Sequence, residues 1–416
     1  MLNQQKKYWF FIYPYVFVSY ENQKKILLYN TQDGQNVEFE SEICKELIIK
    51  VYDKLNLGVV LLDTKYIQDS ECNEFILTLI NKRIGNVLDV IEGAPKPIKL
   101  VPILNLQRDI DRLKADGEMS IGVGLMNYLT EINIYINGKC NINCPYCNDY
   151  YKQAISCTRS NDDVILSPKE IKNIFYQIGH APIGEINLLG GDISAYPFWK
   201  ELHEITEEYK SRLHYWLHFK QIKENGLFFK IDDVSKISVI VNFPVNEREF
   251  ANQMIVLKMK NNVGFHFFVE NELHYNMVEK WVEEFKIREY HIIPFYTDAN
   301  LAFFQENVFL EKTDIFSEIV AQRTIFCNQK LNSNFFGKLY IFPNGSVKAS
   351  TNTEVIGNIY NDSVLKSIYN EMDINTAWRR IRDEEPCNLC LCQYLCPSPS
   401  NYEAVIGKTN LCHVKP

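Results

Sequence analysis

The sequence predicts an α/β protein: a partial (β/α)6 barrel over residues 98–320, a small α+β domain before it (1–97) and a cysteine-bearing domain after it (321–416). Three observations predict it. Strand-like and helix-like segments alternate from Glu131 to Pro294, the pattern of a parallel sheet. The first hundred residues carry a β-hairpin, a third strand, a helix, a strand and a helix instead. Eight of the twelve cysteines fall into two short clusters, 140–147 and 387–412.

A chain of 416 residues has length for two or three domains with ample core. Its net charge of −8 and lack of a basic run speak against a nucleic-acid partner. No apolar stretch approaches a membrane span. Lysines precede the apolar run Tyr8–Tyr13, but the run is short, aromatic and broken by Pro14, with no small-residue cleavage site after it. It reads as a strand of a cytoplasmic protein with no membrane partner. In that compartment clustered cysteines point to metal rather than to disulfides.

In the first domain, Tyr15–Tyr20 and Lys25–Asn30 read as strands. Thr31–Gln35 is a turn around Asp33-Gly34, and Asn36–Phe39 returns as a third strand. A helix follows over Ser41–Leu55 with Ser41 placed to cap it, then a strand, Gly58–Leu62, and a second helix from Cys72 to Ile91. This order resembles the small winged-helix domain that binds leader peptides in peptide-modifying enzymes, where the leader adds as a strand to the sheet edge. A generic docking domain has the same order. Cys44 and Cys72, on helix faces, read as buried apolar residues.

Gly93–Pro97 reads as a linker, and 98–130 lead into the central domain. The central elements are strand Glu131–Asn137, helix Pro168–Gly179 with a capping box from Ser167 to Glu170, strand Glu185–Leu189, helix Phe198–Tyr209 and strand Leu213–Phe219. Strand Lys236–Val241, helix Glu247–Lys260, strand Gly264–Val269, helix Met277–Phe285 and strand Glu289–Pro294 complete the series. In such barrels function gathers at the C-terminal ends of the strands. The histidines His214, His218, His266 and His291 read as core or rim residues.

The first strand delivers its C-terminal end into Cys140-Asn141-Ile142-Asn143-Cys144-Pro145-Tyr146-Cys147. Three thiolates this close can converge on one iron–sulfur cube and leave one metal corner open; a zinc loop or incidental thiols have the same spacing. With Tyr146 before the last cysteine, the motif resembles the signature of the radical S-adenosylmethionine (radical SAM) enzymes. The resemblance implies a [4Fe-4S] cluster on Cys140, Cys144 and Cys147 that binds S-adenosylmethionine at its open iron. One electron then yields a 5'-deoxyadenosyl radical, and a reductant such as flavodoxin or ferredoxin supplies the electron.

The next strand ends in Gly190-Gly191-Asp192, similar to the family's Gly-Gly-Glu-Pro segment that holds the methionine ammonium. Glycines let the backbone approach a ligand closely, and its oxygens suit an ammonium. Asp192 and Ile193 depart from the pattern, and the shorter carboxylate leaves the carbonyls to hold the ammonium. Asn242, Glu270 and Tyr296 fall at later strand ends, where the family places ribose and adenine contacts. Each is also an ordinary loop residue by position.

Lys338–Val347 reads as a hairpin with an Asn344-Gly345 turn. Together with Cys387, Cys390, Cys396 and Cys412 downstream it resembles the SPASM extension of radical SAM peptide maturases. The resemblance implies one auxiliary [4Fe-4S] cluster on those four cysteines, although four thiolates also suit structural zinc. The extension's other cluster needs cysteines where this chain has Ser350 and Ser400, and a hydroxyl is a poor substitute for thiolate on iron. Cys327 and Cys392 are spare ligands, substrate-facing thiols or packing, with packing first. The tail from Cys396 to His413 is also similar to peptide-modification proteins of Bacteroidales type.

The expected protein is therefore a radical SAM peptide maturase (oxidoreductase-type) acting on a ribosomally synthesised precursor peptide with a leader. An intramolecular cross-link (thioether, C–C or C–O) would give an auxiliary cluster an electron to accept. A peptide epimerase using Cys327, Cys157 or Cys392 as hydrogen donor, a sulfatase maturase, and a catalytically inactive binding partner are the alternatives.

Overall fold

The computed structural model describes residues 2, 5–19, 25–100, 124–159, 164–223 and 226–414. Most of the 98–130 lead-in, and Tyr20 at the end of its expected strand, lie outside them.

Two three-stranded sheets form the N-terminal unit. Tyr8–Ile12 (β1) lies antiparallel between Val59–Leu61 (β5) and Gly85–Asp89 (β6). Val16–Ser19 (β2), Lys25–Asn30 (β3) and Asn36–Glu40 (β4) form the other, with β3 central. The apolar run of β3 is buried on both faces. Ile26 and Leu28 meet Leu47 and Phe75 of the helices Glu42–Tyr52 and Ser70–Asn81. Leu27 and Tyr29 meet Ile315, Ile325, Cys392 and Leu395 of the C-terminal region. Cys392 thus belongs to an apolar cluster, as do Cys44 and Cys72.

Two local expectations fail here. The helix read from Cys72 to Ile91 spans only Ser70–Asn81, and residues 85–89 form β6. Arg83 takes the left-handed conformation (φ 54°) that stops the helix, and pairing with β1 outweighs the helical spacing beyond it. Ser41 stands at the N-cap with extended backbone, but its side chain makes no capping bond.

Among the described residues the large sheet has nine strands. Glu131–Tyr135 (β7), Glu185–Leu189 (β8), Leu213–His218 (β9), Lys236–Asn242 (β10), Val263–Val269 (β11) and Tyr290–Pro294 (β12) are parallel and adjacent in chain order. On the far side of β7, Lys338–Ile341 (β13) adds in parallel, followed by antiparallel Ser346–Lys348 (β14) and Gly357–Asn358 (β15). The expected Asn-Gly turn joins β13 to β14, with Gly345 at φ 81°.

Period-two alternation sorts every parallel strand into two faces. Ile132, Leu188, Leu217, Val239 and Phe267 pack under the helices Pro168–Ile178, Trp199–Thr206, Glu247–Leu257 and Glu272–Phe285. Each such side chain contributes about 1.5–3 kcal/mol relative to an exposed one. The helix Pro168–Ile178 starts with the expected capping box: Glu170 accepts from the Ser167 N–H at 3.0 Å, and Ser167 accepts from the Glu170 N–H at 3.5 Å.

The opposite face is layered along the strands. Glu185, His214, Ser238 and His266 form a hydrogen-bonded polar layer near the strand starts. Tyr135, Leu189, Trp216, Ile240 and Phe268 form an apolar layer above it. Asn137, His218, Asn242 and Glu270 stand at the C-terminal ends.

Candidate active site

Asn137, two residues past β7, ties the cysteine loop to the turn after β8. Its Oδ1 accepts from the Gly191 N–H at 3.2 Å and its Nδ2 donates to the Asp192 carbonyl at 2.7 Å. The Asp192 N–H donates to the Lys139 carbonyl at 2.6 Å. This contact needs glycine. A Cβ on Gly190 would collide with Oδ1 of Asn137, and one on Gly191 with the carbonyl of Lys139.

Two of the thiols, Cys140 and Cys144, lie against the end of β9 and the turn after it. Gln221 donates Nε2 to the Gly191 carbonyl at 2.9 Å, with Sγ of Cys140 3.9 Å away. Sγ of Cys144 is 3.7 Å from Nε2 of His218. Burial pushes the Cys144 thiol up and Cys147 up to about 11. A metal bound at this loop would therefore displace thiol protons. Burial also holds His218 down to about 3, so its ring is neutral at neutral pH.

Aromatic rings close the other side. Tyr146, partly exposed, packs on Phe295 at 5.3 Å, and Tyr150 packs on Phe295 at 4.2 Å and on Phe268 at 5.2 Å. The hydroxyl of Tyr150 is buried without a hydrogen-bond partner among the described residues, and the buried Asn242 amide faces the Cys144 thiol. Native interiors seldom leave such groups unpaired, and a polar ligand at this strand end would pair the Tyr150 hydroxyl. Burial raises the half-buried Glu270 carboxyl.

The structure disperses some of the expected contacts. The Asp192 carboxylate caps its own turn, accepting from the Ser194 N–H at 3.0 Å and the Ser194 hydroxyl at 2.5 Å. The Tyr296 ring packs on Phe304 at 5.3 Å. Asn137, Tyr150, Gln153, His218 and Gln221 were not singled out from the sequence as site residues. Their only signal there is position: inward parity carried past a strand end, or the segment just after the cysteine loop.

Cys387, Cys390, Cys396 and Cys412 line one C-terminal cavity together with Arg382, Gln393 and Asn410. Asn410 donates Nδ2 to Sγ of Cys412 at 3.2 Å. Burial pushes the Cys396 thiol up to about 12. Both serines at the other expected cluster positions are engaged: Ser350 donates to Asn401 at 2.9 Å, and Ser400 donates to Glu403 at 2.6 Å while capping helix Asn401–Ile406. Among the described residues no three or more His, Cys, Asp or Glu side chains gather closely enough for a single metal ion. No helix among them is long and apolar enough to cross a membrane.

Residues 134–234 match the radical SAM superfamily model. That span contains the three cysteines of the loop, the Gly190–Asp192 turn, His218 and Gln221. Among curated proteins none matches. Sixteen chains of solved structures do. The crystal structure of Streptococcus suis SuiB aligns with a TM-score of 0.48 at 13% identity, over 97% of this chain and 100% of that one. SuiB bound to S-adenosylmethionine aligns at 0.41 and 11% identity, over 96% and 97%.

Proposed function

We propose that this chain is a radical SAM enzyme that modifies a ribosomally synthesised precursor peptide. One observation carries the reading: within the matched span, the cysteine loop and the Gly190–Asp192 turn are bound to each other through Asn137. The residues fit the cofactors: three thiols leave one iron of a [4Fe-4S] cluster open, the two glycines let the cysteine loop close onto the Gly190–Asp192 turn, and the unpaired Tyr150 hydroxyl awaits a polar ligand.

When bound, the cluster and S-adenosylmethionine supply one-electron-initiated hydrogen abstraction. The chain's own residues hold and orient them. Cys140, Cys144 and Cys147 ligate. The carbonyls of Gly190 and Gly191 each already accept one donor, from Thr158 and Gln221, and keep a lone pair for an ammonium; the Asp192 carbonyl is taken up by Asn137 and the Ala195 N–H. Asn242 and Tyr150 offer hydrogen bonds, and Phe268 and Phe295 exclude water.

The six parallel strands would form the partial (β/α)6 barrel of a domain over 98–320. In a flat sheet of this order β7 and β12 would stand about 24 Å apart. The rings of Tyr150, after β7, and Phe295, after β12, are 4.2 Å apart, which supports curling. Residues 1–97 would be a winged-helix-like leader-binding domain. In support, β4 is an edge strand, and a cleft beside it is lined by Val37, Phe39, Glu74, Thr78, Lys82 and Phe316. An extended leader would add along that edge. Residues 321–416 would be a SPASM domain whose four thiols hold one auxiliary [4Fe-4S] cluster. That cluster would take the electron released as a cross-link closes.

A second reading, a catalytically inactive partner that only binds the peptide, is favoured by one observation: Asp192 turns its carboxylate onto Ser194. Incubating reduced protein with S-adenosylmethionine decides between them. The enzyme reading expects 5'-deoxyadenosine from the wild type and none from Cys140→Ala. A wild type that carries the cluster but forms none would establish the silent partner.

A further inference from the structure

We infer that the turn from His218 to Gln221 sets the reduction potential of the cluster on the cysteine loop, with His218 donating Nε2–H to the sulfur of Cys144. This rests on the radical SAM reading and adds a role that the ligands do not perform.

The proton's position follows from geometry. The backbone N–H of Lys220 donates to Nδ1 of His218 at 3.2 Å. A ring nitrogen that accepts carries no proton, so the imidazole carries its proton on Nε2. That nitrogen stands 3.7 Å from Sγ of Cys144.

The ring has little freedom to leave. His218 is 2% exposed and packs on Phe219 at 4.9 Å. Its own N–H donates to Oε1 of Gln221 at 2.9 Å, which turns Nε2 of Gln221 toward Cys140, 3.9 Å from the sulfur. One short turn therefore aims two N–H donors at two of the three thiols. Hydrogen bonds to a cluster's sulfurs stabilise its more negative, reduced state and raise its potential. They are stronger where burial excludes water. His218 is a positioning residue in this account; it ligates nothing and touches no substrate.

The test is an EPR-monitored redox titration of anaerobically purified full-length protein, as wild type, His218→Phe and His218→Gln. Dithionite supplies the electron. A wild-type cluster whose signal responds to S-adenosylmethionine establishes the underlying reading; its absence overturns that reading and this inference together. Given that signal, His218→Phe should lower the ratio of reduced to oxidised cluster about tenfold at fixed poise, about 59 mV for one electron. His218→Gln, which returns an N–H at similar reach, should recover much of it, and a C-terminal cluster should be unmoved. An unchanged potential in His218→Phe overturns the inference and leaves the reading intact.

Should the phenylalanine variant lose its iron, wild-type protein labelled with 15N-histidine gives the answer by pulsed EPR. A weak histidine nitrogen coupling to the reduced cluster supports the hydrogen bond. No coupling, or the strong coupling of a direct iron ligand, overturns it.

Discussion

The side-chain amide of Gln153 grips the backbone of Tyr296 at both ends, accepting from its N–H at 2.7 Å and donating to its carbonyl at 2.9 Å. Gln153 closes the short helix Tyr150–Gln153 behind the cysteine loop, and Tyr296 follows β12. The contact therefore holds the loop after the first parallel strand against the end of the sixth. Gln153→Leu strands two peptide groups, one donor and one acceptor, at about 1–3 kcal/mol each where water is excluded. The variant should unfold at lower denaturant than the wild type and bind less iron at the loop. Gln153→Asn, whose side chain is too short to span both groups, should behave much like the leucine variant.

Gly190→Ala places a methyl group onto Asn137. Overpacking of this kind costs about 1–3 kcal/mol, and relieving it separates the cysteine loop from the Gly190–Asp192 turn. A folded variant should keep its cluster and lose the spectral response to S-adenosylmethionine. Far-ultraviolet circular dichroism and EPR together check this.

Arg382 and Glu403 pair at 2.8 Å with only 10% and 8% of their side chains exposed. Arg382→Leu leaves a buried carboxylate without its partner, which costs about 3–5 kcal/mol. Adding Glu403→Gln should restore part of the loss. Urea unfolding of the single and double variants measures the coupling.

Acid should weaken the polar layer at the strand starts. Burial, then the imidazoles of His291 and His214, hold His266 down to about 3; Glu185 opposes them weakly. An unfolded histidine titrates near 6.5. Between these values the unfolded chain binds more protons, so stability rises with pH across that window. His266→Gln removes this titration. Its urea midpoint should fall less than the wild type's when pH drops from 7 to 5.

Much of the parallel sheet and its helices was legible in local pattern. Glu185–Leu189 reads directly from its alternation, and Ser167-Pro168 with Glu170 marks a helix start that the structure reproduces. The helix read over 72–91 failed because an open edge on β1, far away in sequence, captured residues 85–89. The same non-locality hid half of the candidate site. Alternation marks His218 only as inward-facing; that it meets Cys144 depends on how β7, β8 and β9 register. Gln153 and Tyr296 are 143 residues apart, and no local pattern couples them.

The most direct test of the central claim is iron, sulfide and zinc analysis of anaerobically purified protein, with EPR of the reduced state before and after adding S-adenosylmethionine. About eight irons per chain in two [4Fe-4S] clusters are expected, one of them perturbed by the cofactor. About four irons and one zinc would keep the radical chemistry but make the C-terminal thiols a structural clip. A chain with no cluster that responds to S-adenosylmethionine would contradict the account.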